Sequence, residues 1–243
     1  MKEFDLVIIG FGKAGKTLAK FASQQGQTVA VVEQFPAMYG GTCINIGCIP
    51  SKTLVKEGLK GHDFTTAMSR KRDVVEALNH KNYHNLADEE HITVFDHQAR
   101  FKSNTEVELL NSSGEVEDVV TAPHIVINTG AKAVIPDIEG VATSQRLYDS
   151  TGILNLATQP KHLVIVGGGY IALEFASMFA NFGSEVTVLE RGNTIMARED
   201  QEIAAEVVKD LENKGIRIIT NAETQKFVDE TETTVVQTLS LIH

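Results

Sequence analysis

The sequence predicts an α/β fold in which two copies of one strand–turn–helix–strand unit flank a small antiparallel meander. The first observation is a repeat: residues 6–33 align without a gap to residues 163–190, at a constant offset of 157 residues. Ten of the 28 aligned pairs are identical, whereas ordinary composition would give about two by chance. The second observation is that each copy runs from an apolar stretch through a glycine-rich turn into a helical pattern.

The apolar stretches predict the strands of each copy. Leu6–Ile9 and Leu163–Val166 contain no polar alternation, which is typical of parallel strands covered on both faces. Val29–Val32 and Val186–Leu189 predict the second strand of each copy. Two glycines, Gly26 and Gly183, follow the helical stretches, and we expect them to end the helices in the left-handed conformation.

The glycine turns carry the pattern G-x-G-x-x-G/A, which suits a dinucleotide. The first glycine permits a tight turn, the second lets the backbone approach a pyrophosphate, and the following helix offers N–H groups and its positive dipole end. A carboxylate after the second strand accepts hydrogen bonds from a ribose hydroxyl. The residues are Gly10, Gly12, Gly15 and Glu33 in the first copy and Gly167, Gly169, Ala172 and Glu190 in the second. One such pattern can be a structural turn alone, but two copies with matched acids predict two dinucleotide sites.

The segment between the copies predicts helix and then short strands. Residues 57–91 have a polar, helical pattern, and His80 and His84 could share one helix face. We favour a solvated helix over a metal site, because no nearby cysteine or paired acid completes a ligand set. Residues 136–160 lack clear periodicity, so we expect them to form an interdomain connection. Four strands are predicted before it, at Ile92–Phe95, Ala99–Phe101, Glu106–Leu110 and His124–Asn128.

Composition argues against several classes of function. The chain has 22 Lys and Arg against 32 Asp and Glu, a formal net charge of −10, whereas nucleic-acid binding requires clustered positive charge. No apolar run approaches the ~20 residues of a membrane helix. The N-terminus is acidic by Asp5 and does not resemble a secretory signal. We expect a cytoplasmic protein that binds neither nucleic acid nor membranes.

The only two cysteines, Cys43 and Cys48, are too few for a disulfide framework or a four-cysteine zinc site. In a regular helix their Cα atoms would be about 8 Å apart, beyond the ~7 Å limit for a disulfide. They can bridge only if the helix is distorted, which Gly47 favours. A cysteine at a helix start has a lowered thiol pKa. We predict a redox-active pair, and two buried thiols without a redox role are the alternative.

The string GGTCINIGCIPSK, residues 40–52, resembles the active-site sequence of the class I pyridine nucleotide-disulfide oxidoreductases. This family includes dihydrolipoamide dehydrogenase, glutathione reductase and mercuric reductase. The first glycine turn with Glu33 is similar to the family's FAD site, residues 128–131 to its second flavin contact, and residues 167–174 to its NAD(P)H site. The resemblance extends to about residue 225 and is greatest to the reactive-chlorine-resistance and hypothiocyanous acid reductase subgroup.

The resemblance implies an FAD-dependent oxidoreductase with an FAD-binding domain at residues 1–150 and an NAD(P)H-binding domain at residues 151–243. Electrons would pass as a hydride from NAD(P)H to FAD, then to a Cys43–Cys48 disulfide, and on to a small-molecule disulfide or an oxidant such as hypothiocyanous acid. Cys48 would be the thiolate beside the flavin, and Cys43 the exchanging thiol that meets substrate.

Further roles are implied by the same resemblance. Lys52 would lie near the flavin and pair with Glu174 on the opposing domain, while Tyr170 would gate the flavin face that receives the hydride. Glu190 favours NADH, because its carboxylate would repel a 2′-phosphate, and Arg191 beside it keeps NADPH as the alternative. Other cofactor contacts would come from Gly41, Thr42, Ala99, Thr129 and Gly130.

Members of the family are longer than this chain. The comparison implies that a return segment of the FAD domain and the dimerisation domain, with its His–Glu acid–base pair, lie outside the sequence. It implies a homodimer for the full-length form and a departure from the family at residues 235–243. The chain alone would then be poorly active, or a non-catalytic dinucleotide-binding fragment.

Overall fold

The computed structural model describes residues 1–240, and its elements divide between two compact units. The strands are β1 (Lys2–Glu3), β2 (Leu6–Ile9), β3 (Val29–Val32), β4 (Ile92–Phe95), β5 (Gln98–Phe101), β6 (Glu106–Leu110), β7 (Val116–Thr121), β8 (His124–Ile127), β9 (His162–Val166), β10 (Glu185–Leu189), β11 (Arg217–Ile219), β12 (Ala222–Asp229) and β13 (Thr234–Ser240). The helices are α1 (Lys13–Gln24), α2 (Thr42–Asn45), α3 (Cys48–Leu59), α4 (Phe64–Ala87), α5 (Tyr170–Asn181) and α6 (Gln201–Asn213). Within residues 1–240, no helix is both long enough and apolar enough to cross a membrane.

The first unit comprises residues 1–50 and 72–132 and is built on a parallel sheet. The strand order is β4-β3-β2-β8, so β2 pairs with both β3 and β8. Every residue of β3 is buried, which agrees with an apolar strand covered on both faces. Two of the strands predicted between the repeats, β4 and β8, therefore extend this sheet and do not belong to the meander.

The meander forms a second sheet in the first unit, with strand order β1-β7-β6-β5. Strands β5, β6 and β7 pair antiparallel, and β1 pairs parallel to β7. The sequence pattern did not predict β1 and β7. Strand β7 contains two acids and only one buried residue, so it lacks the apolar run that predicted the other strands.

The second unit comprises residues 51–71 and the chain from residue 133 onwards. Its parallel sheet has the order β11-β10-β9, and β12 pairs with β13 in an antiparallel hairpin. Four of the five residues of β10 are buried, but β9 is only half-buried. The expectation that Leu163–Val166 is covered on both faces is therefore wrong, because β9 lies at the edge of the sheet that the described residues form.

The predicted helical stretch at residues 57–91 consists of the end of α3, a turn and α4. The turn contains Gly61 at φ +77°. The buried carboxylate of Glu57 closes it by accepting hydrogen bonds from Lys60 at 2.9 Å and His62 at 2.6 Å. The sequence pattern did not predict that one helix ends and another begins within this stretch, because the residues on both sides of the turn are polar and helix-forming.

The compact units divide at residues 132 and 133 and place residues 51–71 with the second unit; the assignment of FAD to residues 1–150 and NAD(P)H to 151–243 stays a prediction. At the end, β13 pairs with β12 as far as Ser240. The remaining residues of the predicted divergent tail, Leu241–His243, lie outside the described residues.

Candidate functional site

The first glycine turn joins β2 to α1 and is closed by Asn128, which follows β8. Gly10 has φ +102°, and a Cβ built on it would lie 2.3 Å from the Asn128 carbonyl oxygen. The Asn128 amide donates to the Gly10 carbonyl at 3.2 Å. It also packs so closely that a Cβ on Gly15 would lie 2.6 Å from its Nδ2 atom and one on Gly12 2.9 Å away. Contact with the backbone therefore requires glycine at Gly10 and Gly15, whereas a Cβ on Gly12 would displace only the Asn128 amide.

The second glycine turn, between β9 and α5, has the same backbone form in a different setting. Gly167 has φ +105°, close to the value at Gly10. A Cβ built on Gly167 or Gly169 would meet no atom of the described residues within 4 Å. In this copy, packing within the protein does not explain the glycines, whereas close approach of a ligand to the backbone would.

The two acids that close the repeats bind their own glycine turns. Glu33 accepts hydrogen bonds from the backbone N–H groups of Phe11 at 3.0 Å and Phe35 at 3.1 Å. Glu190 accepts from Gly168 and Gly192, both at 2.7 Å. Each carboxylate is thus held beside the turn in the position predicted for a ribose partner, and the repeat extends to the hydrogen bonds themselves.

The residues present fit the ADP half of a dinucleotide in each unit. Gly12 and Gly169 are the N-cap residues of α1 and α5, and neither makes a side-chain cap hydrogen bond. Glycine offers no side chain to cap the first N–H groups of either helix, so an anion can bind there. The open surface around Gly167 and Gly169 supports the same interpretation for the second unit.

The other predicted cofactor contacts lie near the ends of strands or at helix starts. Gly41 is the N-cap of α2, and Ala172 is in the first turn of α5. A Cβ built on Gly41, at φ +77°, would lie 2.6 Å from the Gly12 Cα atom. The structure therefore brings Gly41 and Gly12 together. The remaining positions are Thr42 in α2, Ala99 in β5, and Thr129 and Gly130 directly after β8.

The two cysteines lie on either side of a helix break. Cys43 is in α2, which ends at Asn45, and Cys48 is the first residue of α3. Ile46 leaves helical geometry with φ −138° and ψ 14°, and a Cβ on Gly47 would lie 3.0 Å from the Thr42 carbonyl oxygen. The distortion that the spacing of the cysteines demanded is present, and it occurs where Gly47 predicted it.

Half-buried amides hold this turn in place. The Asn45 side chain donates to the carbonyl groups of Tyr39 at 3.0 Å and Gly41 at 2.9 Å, and it accepts from Asn79 at 3.1 Å. The Tyr39 hydroxyl bonds to Asp96, and burial together with this bond raises the Tyr39 pKa well above its usual value. Sequence reasoning missed these supports, since an asparagine in α4 has no local pattern that connects it to residue 45.

The cysteine side chains are thiols that interact with each other. Cys43 is partly exposed and Cys48 is exposed. A hydrogen bond with Cys48 and burial raise the pKa of the Cys43 thiol, while the positive charges of Lys16 and Lys13 oppose that rise. The general expectation of a lowered thiol pKa at a helix start is therefore wrong for Cys43. The neighbouring thiol of Cys48 is the largest of the causes that raise this pKa.

Lys52, Glu174 and Tyr170 come together in the second unit. They line one cavity of about 690 Å³ between α3, α5 and α6. The Lys52 ammonium lies 3.9 Å from the Glu174 carboxylate, so the pairing implied by the family resemblance is present. Both residues belong to the same compact unit, and the assignment of Glu174 to a domain opposite Lys52 stays a prediction. Tyr170, which begins α5, is 69% exposed.

The histidines of α4 form a small surface cluster. The Nε2 atoms of His80 and His84 are 3.1 Å apart, and Asp88 accepts at 3.0 Å from the other ring nitrogen of His84. Among residues 1–240, no group of three or more Cys, His, Asp and Glu side chains is arranged to hold a metal ion.

Comparison with known proteins places these features in a family. A family model described as pyridine nucleotide-disulphide oxidoreductase matches residues 4–241. The Escherichia coli (strain K12) protein named probable pyridine nucleotide-disulfide oxidoreductase RclA is 51% identical over 226 residues, which are 93% of this chain and 51% of that protein. A dihydrolipoyl dehydrogenase of Geobacillus stearothermophilus is 33% identical over 237 residues, covering 90% of this chain and 49% of that protein. The chain thus spans about half the length of these curated relatives.

A solved structure has the same fold. The Cu(II) complex of the HOCl-induced flavoprotein disulfide reductase RclA from Escherichia coli superposes with a TM-score of 0.94 at 48% identity, covering 98% of this chain and 53% of that chain. The family match continues to residue 241. The expected departure from the family at residues 235–243 is therefore wrong for all but the last two residues.

Proposed function

The chain belongs to the pyridine nucleotide-disulphide oxidoreductase family, and on that premise we propose that it forms part of an NAD(P)H- and FAD-dependent enzyme. The enzyme reduces a small-molecule disulfide or reactive oxidant. One observation carries the proposal: the helix break places the thiols of Cys43 and Cys48 in hydrogen-bond contact, so they can exchange between dithiol and disulfide.

The cofactors have defined partners in this chain. Gly10, Gly12 and Glu33 would hold the ADP half of FAD, and Gly167 and Glu190 that of the nicotinamide coenzyme. When bound, NAD(P)H and FAD would supply the electron pair that reduces the Cys43–Cys48 disulfide to two thiols. The protein holds each carboxylate ready for a ribose, since two backbone N–H groups already orient it.

The dithiol then reduces substrate by exchange. The Cys43 sulfur attacks one sulfur of a substrate disulfide, whose S–S bond breaks, and the first substrate thiol leaves with one proton. The Cys48 sulfur attacks the Cys43 sulfur, the mixed disulfide breaks, and the second substrate thiol leaves with the other proton. Two protein thiols have become one disulfide, and one substrate disulfide has become two thiols.

Two classes of substrate are candidates for this enzyme. The segment at residues 40–52 resembles the reactive-chlorine-resistance and hypothiocyanous acid reductase subgroup, and the similar Escherichia coli protein is described as HOCl-induced. We therefore place hypothiocyanous acid first among candidate oxidants and low-molecular-weight disulfides second. The resemblance also implies a homodimer.

The full-length protein that contains this chain, purified with added FAD, provides the direct test. We expect NADH to bleach the flavin absorbance, and NADH consumption to depend on hypothiocyanous acid or a disulfide. Bound flavin without consumption of either oxidant would contradict the proposed turnover. It would favour a second candidate, a non-catalytic dinucleotide-binding protein, which is supported by the two glycine turns and the carboxylates held beside them.

We expect the coenzyme preference to depend on Glu190. Wild-type protein should use NADH better than NADPH, because the carboxylate bonds a ribose hydroxyl and repels a 2′-phosphate. Replacing Glu190→Ala should narrow the ratio of kcat/KM values for the two coenzymes by about tenfold, or ~1.4 kcal/mol. Glu190→Gln is the matched control, since it removes the charge and keeps the side chain's size. A wild type that prefers NADPH would contradict this interpretation of Glu190.

Lys52 should matter for turnover and hardly for stability. Its ion pair with Glu174 is long and both partners are more than half exposed, so it should contribute less than about 1 kcal/mol. We expect Lys52→Met to leave the melting temperature nearly unchanged and to slow flavin reduction by NADH about tenfold or more, because a preorganised charge is lost. Lys56→Met, one turn further along α3 and in the same cavity, should affect neither quantity. Equal flavin reduction rates in the two variants would disprove the role of Lys52.

A further inference from the structure

Helix α1 presents three lysines to one cavity of the first unit. Lys13, Lys16 and Lys20 line a cavity of about 460 Å³ together with Asn82 of α4. Lys20 is neutralised by Glu89, whose carboxylate is 2.8 Å away. In the part of the chain that the structure describes, Lys13 and Lys16 have no carboxylate within ion-pair distance. The first turn of α1 therefore carries two positive charges without a counter-charge.

Lys16 is fixed by a buried asparagine. The Lys16 ammonium donates a hydrogen bond to Asn82 Oδ1, and Asn82 is only 6% exposed. The Asn82 Nδ2 atom donates to the Leu78 carbonyl at 2.7 Å. This second bond orients the amide, so its oxygen faces Lys16. The lysine is thus held in one place at the cost of a flexible side chain's freedom.

The same asparagine lies against the turn that carries Cys43. A Cβ built on Gly40 would lie 3.0 Å from Asn82 Cγ, and 2.8 Å from a side-chain carbon of Ile44. The contact between Gly41 and Gly12 brings the start of α1 to the same turn. Three separate segments therefore meet at residues 40–44, the stretch that contains Cys43, and Asn82 holds the ammonium of Lys16 beside that stretch.

We propose that Lys16, positioned by Asn82, stabilises the thiolate of Cys43 and so sets the pH range in which that cysteine reacts. The proposal rests on the function proposed above, in which Cys43 is the exchanging thiol. Lys16 acts through Cys43 and is a positioning residue. It touches neither substrate nor cofactor in this role.

Lys16 and Cys43 each stabilise the charged form of the other. The ionisable groups that act on Cys43 are Cys48, Lys16 and Lys13. The hydrogen bond with Cys48 and burial raise the Cys43 pKa, whereas the two lysines lower it and so favour the thiolate. Burial and the charge of Lys13 lower the pKa of Lys16, while Cys43 raises it. Since only the thiolate attacks a disulfide or an oxidant, the charge of Lys16 increases the reactive fraction near neutral pH.

The test measures Cys43 reactivity without any turnover. Reduced protein is alkylated with iodoacetamide, a neutral reagent that the lysines do not attract, and modification of Cys43 is followed by peptide mass spectrometry from pH 5 to 10. We expect Lys16→Met to move the midpoint for Cys43 to higher pH by about one unit, which slows labelling about tenfold at pH values below both midpoints. Lys16→Arg, which keeps the charge, should restore most of the wild-type curve.

Lys20→Met is the matched control, because Lys20 lies on the same helix and in the same cavity but is neutralised by Glu89. Asn82→Ala should shift the midpoint in the same direction as Lys16→Met by a smaller amount. If Lys16→Met does not fold, Lys16→Gln removes the charge and can keep the bond to Asn82. An unchanged midpoint in a folded Lys16 variant, or an equal shift in Lys20→Met, would overturn the proposal. An enzyme without oxidant turnover would contradict the proposed function but leave this measurement intact.

Discussion

Replacing either Cys43 or Cys48 with serine should lower substrate-dependent NADH oxidation about a thousandfold or more, the scale seen when a covalent nucleophile is removed. A hydroxyl can replace a thiol in size but cannot form a disulfide, so neither variant can store the electron pair. Both variants should still fold, because Cys43 is only partly buried and Cys48 is exposed. Flavin reduction by NADH should persist in both, which separates loss of exchange from loss of cofactor.

The two serine variants should differ in what they trap. With Cys43 as the exchanging thiol, Cys48→Ser should accumulate a mixed disulfide with substrate, since no second thiol releases it. Cys43→Ser should trap little. Exposure alone would instead favour Cys48 as the exchanging thiol, because it is the more exposed of the two cysteines. Mass spectrometry of the intact variants decides between them, and trapping only in Cys43→Ser would reverse the assigned roles.

Counting alkylated thiols detects the Cys43–Cys48 disulfide directly. Wild-type protein oxidised and then alkylated should carry two fewer labels than protein reduced before alkylation. The helix break at Ile46 and Gly47 makes this bridge accessible without unfolding α3. Equal labelling with and without reduction would remove the redox claim for both cysteines.

The sequence predicted those features that depend on local pattern. Gly26 and Gly183 adopt φ +80° and +88°, as expected for glycines that end helices. The duplication also predicted that Gly10 and Gly167 would share one backbone form, and their φ values differ by only a few degrees. A residue that must be glycine for conformational reasons can be recognised because its neighbours repeat in both copies.

The local sequence pattern could not predict contacts between distant segments of the chain. Asn128 closes the first glycine turn from 118 residues away, and Asn82 reaches Lys16 across 66 residues. Asparagine is common in loops and on polar helices, so nothing local distinguishes these two from solvated neighbours. The raised pKa of Cys43 was missed for the same reason, since it depends on a thiol beyond the helix break.

Gly10→Ala should destabilise the first unit far more than Gly167→Ala destabilises the second. Both positions have φ near +100°, so each alanine carries backbone strain of about 1–3 kcal/mol. At Gly10 the new Cβ would also lie 2.3 Å from the Asn128 carbonyl oxygen, whereas at Gly167 it would meet no described atom within 4 Å. We expect this collision to cost a further ~1–3 kcal/mol.

The obstacle at Gly10 cannot rotate away, because it is backbone. The Asn128 N–H donates to the Ile9 carbonyl at 2.8 Å and continues the pairing of β8 with β2, so relief would require the sheet to open. Hydrogen exchange should therefore show lost protection in β2 and β8 of Gly10→Ala and a smaller loss in β9 of Gly167→Ala. Binding gives the opposite contrast: Gly167→Ala should fold but weaken binding of the nicotinamide coenzyme, since its Cβ projects where the backbone is otherwise open to a pyrophosphate. Equal loss of stability in the two variants would show that backbone strain alone governs both turns and that the Asn128 contact has no energetic weight.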